Sequence, residues 1–236
     1  MAEQLTFDLA AVEPPSFANF VSGPNAEVVA QLERAARGRL RETAIVVWGA
    51  PGAGRTHLLR AAIRAAGDAR PAVYFPDPTH APSEPPGPSA LVAVDDVDRA
   101  DAAAQGRLFT LFNRLQDTQG QLLAAAAAPP ARLPLRDDLR SRLGWGLAYE
   151  VAPLADADKP QALSAYARQR GFRLGDDVVA YLLAHGRRDM GSLVATLAAL
   201  DRHSLSTKRP ITVPMLRDWL QRGLPLGGDG GPGAPP

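Results

Sequence analysis

Ala44-Ile45-Val46-Val47-Trp48-Gly49-Ala50-Pro51-Gly52-Ala53-Gly54-Arg55-Thr56 decides how the rest of the chain is read. Ala44–Trp48 is a continuous, β-branched apolar run, as a strand covered on both faces requires, and Thr56–Ala66 then repeats apolar residues at helical spacing. Between them lies the G-x-x-x-x-G-[K]-[ST] spacing, with Arg55 at the lysine position. Glycines let backbone N–H groups turn inward around phosphate oxygens. The following helix points its positive end at them, and the hydroxyl of a residue such as Thr56 can ligate Mg²⁺. Gly49, Gly52, Gly54, Arg55 and Thr56 are therefore the candidate residues for holding ADP or ATP. Arg55 keeps the positive charge but replaces a compact ammonium with a broad planar fork. Two explanations stay open: relaxed catalysis, or a chain-wide preference for arginine, since Lys159 and Lys208 are the only lysines among 26 basic residues.

Working outward, Ala72–Phe75, Ala90–Val94, Gln121–Ala127 and, more weakly, Leu147–Val151 read as further strands, with a helix through Gln105–Thr118. Strands separated by helices imply parallel pairing through right-handed crossovers, with helices on both faces. The third strand ends in Val94-Asp95-Asp96, an apolar strand delivering carboxylates to the cation side of a phosphate loop. In that arrangement Asp95 holds Mg²⁺ through water, alongside Thr56, and Asp96 polarises an attacking water. From Asp156 the pattern is helical only: a helix capped by Asp156 and running to about Arg170, then Asp176–His185, Asp189–His203 and Pro214–Arg222. The expected fold class is α/β, a P-loop parallel sheet flanked by helices and followed by a small α-helical bundle. The expected divisions are an N-terminal peptide and linker (1–14), the α/β domain (15–153), the helical domain (154–222) and a Gly/Pro-rich disordered tail (223–236).

Composition narrows the function classes. The 236 residues carry 26 Lys+Arg against 25 Asp+Glu, a net charge of +1, which argues against a protein that coats nucleic acid or a polybasic membrane surface. With no cysteine there is no disulfide framework, thiolate metal site or cysteine nucleophile, and a reducing compartment, the cytoplasm, is expected. No apolar run approaches the ~18 residues of a membrane span, and the N-terminus lacks the pattern of a secretory signal.

Several segments together resemble the AAA+ family, specifically its DnaA-related members of the Hda type, the regulatory inactivators of the replication initiator DnaA. Phe17-Ala18-Asn19-Phe20-Val21-Ser22-Gly23 is similar to the F-x-N-F-V-x-G segment that opens the AAA+ domain there. Gly54-Arg55-Thr56-His57-Leu58-Leu59 is similar to G-K-T-H-L-L, which adds His57 to the nucleotide-binding candidates, and an arginine in place of that lysine resembles the Hda pattern. Ser141-Arg142-Leu143-Gly144-Trp145-Gly146-Leu147 resembles the S-R-[FL]-x-W-G-L segment, in which Arg142 is the implied arginine finger acting in trans. Arg188 matches the lid arginine that senses bound nucleotide, with Arg187 adjacent and the register open by one residue. One departure stands out: the resemblance implies a polar or acidic residue near Ala127, and alanine can neither orient a water nor bond a γ-phosphate.

Before this core, Gln4-Leu5-Thr6-Phe7-Asp8-Leu9 resembles the Q-L-x-L-x-L peptide that docks into the DNA polymerase III sliding clamp (β subunit), with Leu5, Phe7 and Leu9 as apolar anchors and Gln4 fixing orientation. After Arg222 nothing basic or helical follows that would match the DNA-reading domain of a full initiator. The resemblance thus implies a negative regulator of replication initiation that binds the clamp, pairs with DnaA and promotes hydrolysis of DnaA-bound ATP, meeting DNA indirectly. A homo-oligomer is compatible with it. The competing reading is a self-sufficient P-loop ATPase of DnaA-like or helicase-loader type, which the lack of lysine at position 55, Ala127 and the clamp-like peptide disfavour. A nucleotide or small-molecule kinase would leave Ser141–Leu147 and the helical bundle unexplained.

Overall fold

The apolar runs form a five-stranded sheet: β1 (Ala44–Trp48), β2 (Ala72–Phe75), β3 (Leu91–Val94), β4 (Gln121–Ala126) and β5 (Leu147–Glu150), in the spatial order β2-β3-β4-β1-β5. All four pairings are parallel. The structure is a computed structural model and describes residues 14–187 and 189–221. Gln4, Leu5, Phe7, Leu9, Arg188 and the tail 223–236 lie outside the described residues.

Parallel strands need apolar cover on both sides, and alternation along each strand supplies two cores. Ile45, Val47, Leu91, Ala93, Leu123 and Ala125 pack with α1 (Ala26–Ala36) and α2 (Arg55–Ala66). Val46, Val92, Val94, Leu122, Ala124 and Ala126 pack with α3 (Ala102–Asp117) and α4 (Asp137–Gly144). β1 lies between β4 and β5, so the chain leaves β1 for the far edge at β2, returns through β3 and β4, and then crosses to the other side of β1. Ligand crevices of open α/β sheets form outside the carboxyl ends of strands where such a reversal occurs. Gly49, Asp95 and Ala127 all follow carboxyl ends of the central strands.

A first unit ends at Ala155 and a second begins at Asp156. The second unit comprises α5 (Lys159–Gln169), α6 (Asp176–His185), α7 (Met190–Thr207) and α8 (Val213–Gln221), built around Leu163, Leu182, Leu193, Leu197, Leu200 and Leu216. Asp189 caps α7 by accepting from the Ser192 N–H at 2.8 Å, as expected of an acidic residue before a helix. Asp156 does not cap its helix. α5 starts three residues later, after Asp158, and Asp156 instead accepts from Lys159 Nζ at 2.5 Å. Pro160, near the start of α5, has no N–H to be capped, so the helix starts without a side-chain cap.

Candidate phosphate-loop site

The loop after β1 takes a backbone path that side chains resist. Gly49, Gly52 and Gly54 have φ of 154°, 81° and 103°. A Cβ on Gly49 would stand 2.5 Å from the Val151 carbonyl oxygen, and one on Gly54 would meet the Phe20 ring at 2.7 Å. Gly54 precedes α2 and gives no side-chain cap, so the first-turn N–H groups of the helix are directed into the loop with no intrahelical acceptor. A backbone of this shape can cradle phosphate oxygens.

The segment Phe17–Gly23 is folded across this cradle. Phe20 covers Gly54, its ring centroid 5.4 Å from that of His57. His57 Nε2 donates to the Ser16 carbonyl at 2.9 Å, so Nε2 carries a hydrogen. His57 thus ties the N-terminal segment to α2 rather than facing the loop. Burial holds its pKa below the ordinary 6.5, and the bond to Ser16 opposes this only in part. Because the unfolded chain binds this proton more readily, its contribution to stability is complete above pH 6.5 and is lost as pH falls through that value. The melting temperature is therefore expected to drop between about pH 7 and about pH 5, and to drop less steeply in His57→Gln; parallel slopes would remove His57 from the account.

Two residues that the fold brings to the site carry no local signal in the sequence. Asn25, buried, donates from Nδ2 to the Ala152 carbonyl and accepts from the Ala152 N–H, both at 2.9 Å, pinning the chain beyond β5 beside the loop. Tyr74, on β2, donates its hydroxyl to Asp95 Oδ2 at 3.0 Å. Burial and the neighbouring Asp95 carboxylate push the Tyr74 pKa up. The second Asp95 oxygen accepts from the Asp96 N–H at 3.2 Å, and Asp95 is 4% exposed.

Arg55 turns inward. Its Nη1 donates to the Ala126 carbonyl at the end of β4, and its Nη2 lies 3.9 Å from Asp96 Oδ1. Asp96 adopts left-handed backbone geometry (φ 47°) and has a second guanidinium, that of Arg99, at 3.7 Å. Thr56 is exposed on the first turn of α2. Ala127 is exposed, and its N–H donates to Asp98 Oδ1 at 3.1 Å.

Arg142 lies apart from these groups, near the end of α4. Its guanidinium carbon sits 4.4 Å over the Trp145 ring and 5.8 Å from the rings of Phe109 and Phe112. Trp145 is 65% exposed. Among the described residues Arg142 makes no ion pair, so its charge is held by aromatic faces and not neutralised by a carboxylate. In the helical unit, Arg187 is exposed, with its Nε 3.6 Å from Asp189 Oδ2.

The fold is shared with solved structures of DnaA and RuvB. Domain III of the Thermotoga maritima replication initiation protein DnaA superimposes with a TM-score of 0.71 at 18% identity, over 88% of this chain and 95% of that one. AMPPCP-bound DnaA from Aquifex aeolicus gives 0.64 at 21% identity, over 79% and 64%. A Thermotoga maritima RuvB variant gives 0.64 at 17%, over 89% and 73%. Residues 156–220 match the family described as Hda, lid domain. The second unit is thus similar to an Hda lid, and the chain shares its fold with domain III of DnaA. The Hda lid match falls within the all-helical second unit, and the glycine loop follows β1 at the switch point of the strand order. No described helix is long and apolar enough to cross a membrane.

Proposed function

We propose that this Hda-type protein is a negative regulator of replication initiation: an adaptor that binds the DNA polymerase sliding clamp through Gln4–Leu9 and promotes hydrolysis of ATP held by DnaA. The observation that carries the reading is Arg142, an unneutralised guanidinium poised on an exposed tryptophan within the segment that resembles the arginine-finger motif. Delivered to the nucleotide site of a neighbouring AAA+ domain, it offsets charge developing on the γ-phosphate of the partner's ATP. The stacked aromatics limit the rotamers of a long side chain, so less entropy is lost when the finger engages.

The chain's own loop fits the phosphates of ADP or ATP, which bound there stabilise the native chain by mass action. The donors meant for Mg²⁺ do not fit equally well. Thr56 is open, but Asp96 has two guanidinium groups beside it that already supply positive charge there. Among the described residues no group of three or more acidic or histidine side chains could hold a metal ion. With Ala127 unable to orient a water, these features favour a regulatory nucleotide over intrinsic hydrolysis, and a steady-state ATPase assay on the isolated protein separates this reading from the self-sufficient motor.

The clamp assignment has its own test. Retention on immobilised clamp is expected to be lost when Gln4 and Leu5 are both changed to alanine, because the peptide loses an apolar anchor and its orienting amide together. Undiminished retention would remove the peptide from the account.

A further inference from the structure

An ordinary phosphate loop leaves its lysine pointing at the phosphates and uses a divalent cation to reconcile them with the acidic end of the neighbouring strand. Here a cation is already built into that place. Arg55 is seated between two strands' ends, with Nη1 on the Ala126 carbonyl after β4 and Nη2 near Asp96 after β3. Its side chain is 12% exposed, against 39% for Asp96, so the guanidinium is the buried partner and the carboxylate the outer one. Arg99 approaches the same carboxylate from the other side at 3.7 Å. Asp95 is held by other groups: the Tyr74 hydroxyl donates to one oxygen and the Asp96 N–H to the other.

Three consequences follow from the chemistry of these groups. A guanidinium cannot be deprotonated in a protein, so the cation at Asp96 is permanent. Its planar fork can reach a carbonyl and a carboxylate at once, which a lysine ammonium on a single stem matches poorly. Mg²⁺ needs near-octahedral oxygen donors and gives up water reluctantly, so it gains little beside a carboxylate already flanked by two guanidinium cations. We propose that Arg55 acts as an internal cation that replaces the divalent ion, so that the loop Gly49–Thr56 binds the phosphates of a nucleoside diphosphate without Mg²⁺. This rests on the reading of the loop as a nucleotide site and goes further in stating which ion that site does without.

The test uses the full chain and ADP as the probe, with binding followed by calorimetry and by thermal shift, once with Mg²⁺ in excess and once with EDTA. The wild-type Kd is expected to differ less than about threefold between the two conditions, well under the tenfold that 1.4 kcal/mol of ion contribution would give. Arg55→Lys, which keeps the charge but frees Asp96, is expected to bind ADP at least about tenfold more weakly in EDTA than in Mg²⁺. Its melting temperature without nucleotide shows whether it folds. A wild-type Kd that rises tenfold or more in EDTA overturns the proposal, as does an Arg55→Lys protein that is folded and equally indifferent to Mg²⁺. Absence of ADP binding in both conditions would instead overturn the nucleotide-site reading and this proposal with it.

Discussion

Arg142→Ala is expected to lower the stimulation of DnaA-bound ATP hydrolysis on the order of 10³-fold, the low end of what an arginine supplied across an interface contributes in phosphoryl transfer. The physical reason is that among the described residues the guanidinium has no carboxylate partner, so its full charge is available to a neighbour's γ-phosphate. The same freedom means that its loss costs the fold little. Stacking on Trp145 at a partly exposed site is worth about 0.5–1 kcal/mol, which corresponds to a fall of at most about 2–4 °C in melting temperature for a chain of this size. A large loss of activity with a small loss of stability is the signature to look for. Arg142→Lys should recover only part of the activity, since a point charge on a flexible stem does not reproduce the fork. A variant that loses stability and activity in parallel would instead mark Arg142 as a structural residue.

The largest expected effect on stability lies four residues further on. A Cβ at Gly146 would stand 2.0 Å from the Ala44 carbonyl oxygen, 2.7 Å from its carbon and 2.9 Å from its Cβ, all of them at the first residue of β1. Gly146 is the last residue before β5, whose register starts at Ile45 opposite Leu147. No side-chain rotation relieves a clash with backbone, so Gly146→Ala must push β5 away from β1 or shift both. The expected cost is about 3 kcal/mol or more, at or beyond the upper end of overpacking in a dense core. Gly144→Ala is the control: it adds the same methyl two residues earlier, where nothing lies nearer than Pro130 Cβ at 4.0 Å. Chemical denaturation of the two variants should show a large loss for the first and near-neutral behaviour for the second. Equal midpoints would mean that the α4–β5 turn does not depend on a glycine at this position.

The parts of the fold that could be read from sequence are those whose physics is local. Ala44–Trp48 and Ala72–Phe75 are strands over the residues that their unbroken apolar runs mark out, and Asp176–His185 is a helix over its expected span. The glycine loop was legible because φ values such as 103° at Gly54 demand glycine. Two helices escaped. α1 signals its buried stripe through Val28, Leu32, Ala35 and Ala36, two of them alanines that carry little apolar contrast, and α4 has just Leu139 and Leu143 to bury in an otherwise charged octapeptide. The site was half legible. The spacing points to Gly49–Thr56 and Asp95–Asp96, and the fold sets both after carboxyl ends of central strands, but the partners of those residues come from strand order. Tyr74 meets Asp95 because β2 lies beside β3, and Arg55 meets the Ala126 carbonyl because β4 lies beside β1. Neither adjacency is written in the local sequence, so the direction in which Arg55 points could not be known before the sheet was assembled.

The central claim is that a clamp-borne chain donates Arg142 to the ATP of DnaA. Its most direct measurement is single-turnover hydrolysis of ATP preloaded on DnaA, with this protein and DNA-loaded sliding clamp added separately and together. Hydrolysis should accelerate when both are present, stay near the basal rate with either alone, and stay near it again when Arg142→Ala replaces the wild-type chain. Hydrolysis that remains basal with both components, or that accelerates equally with the Arg142→Ala protein, would contradict the account.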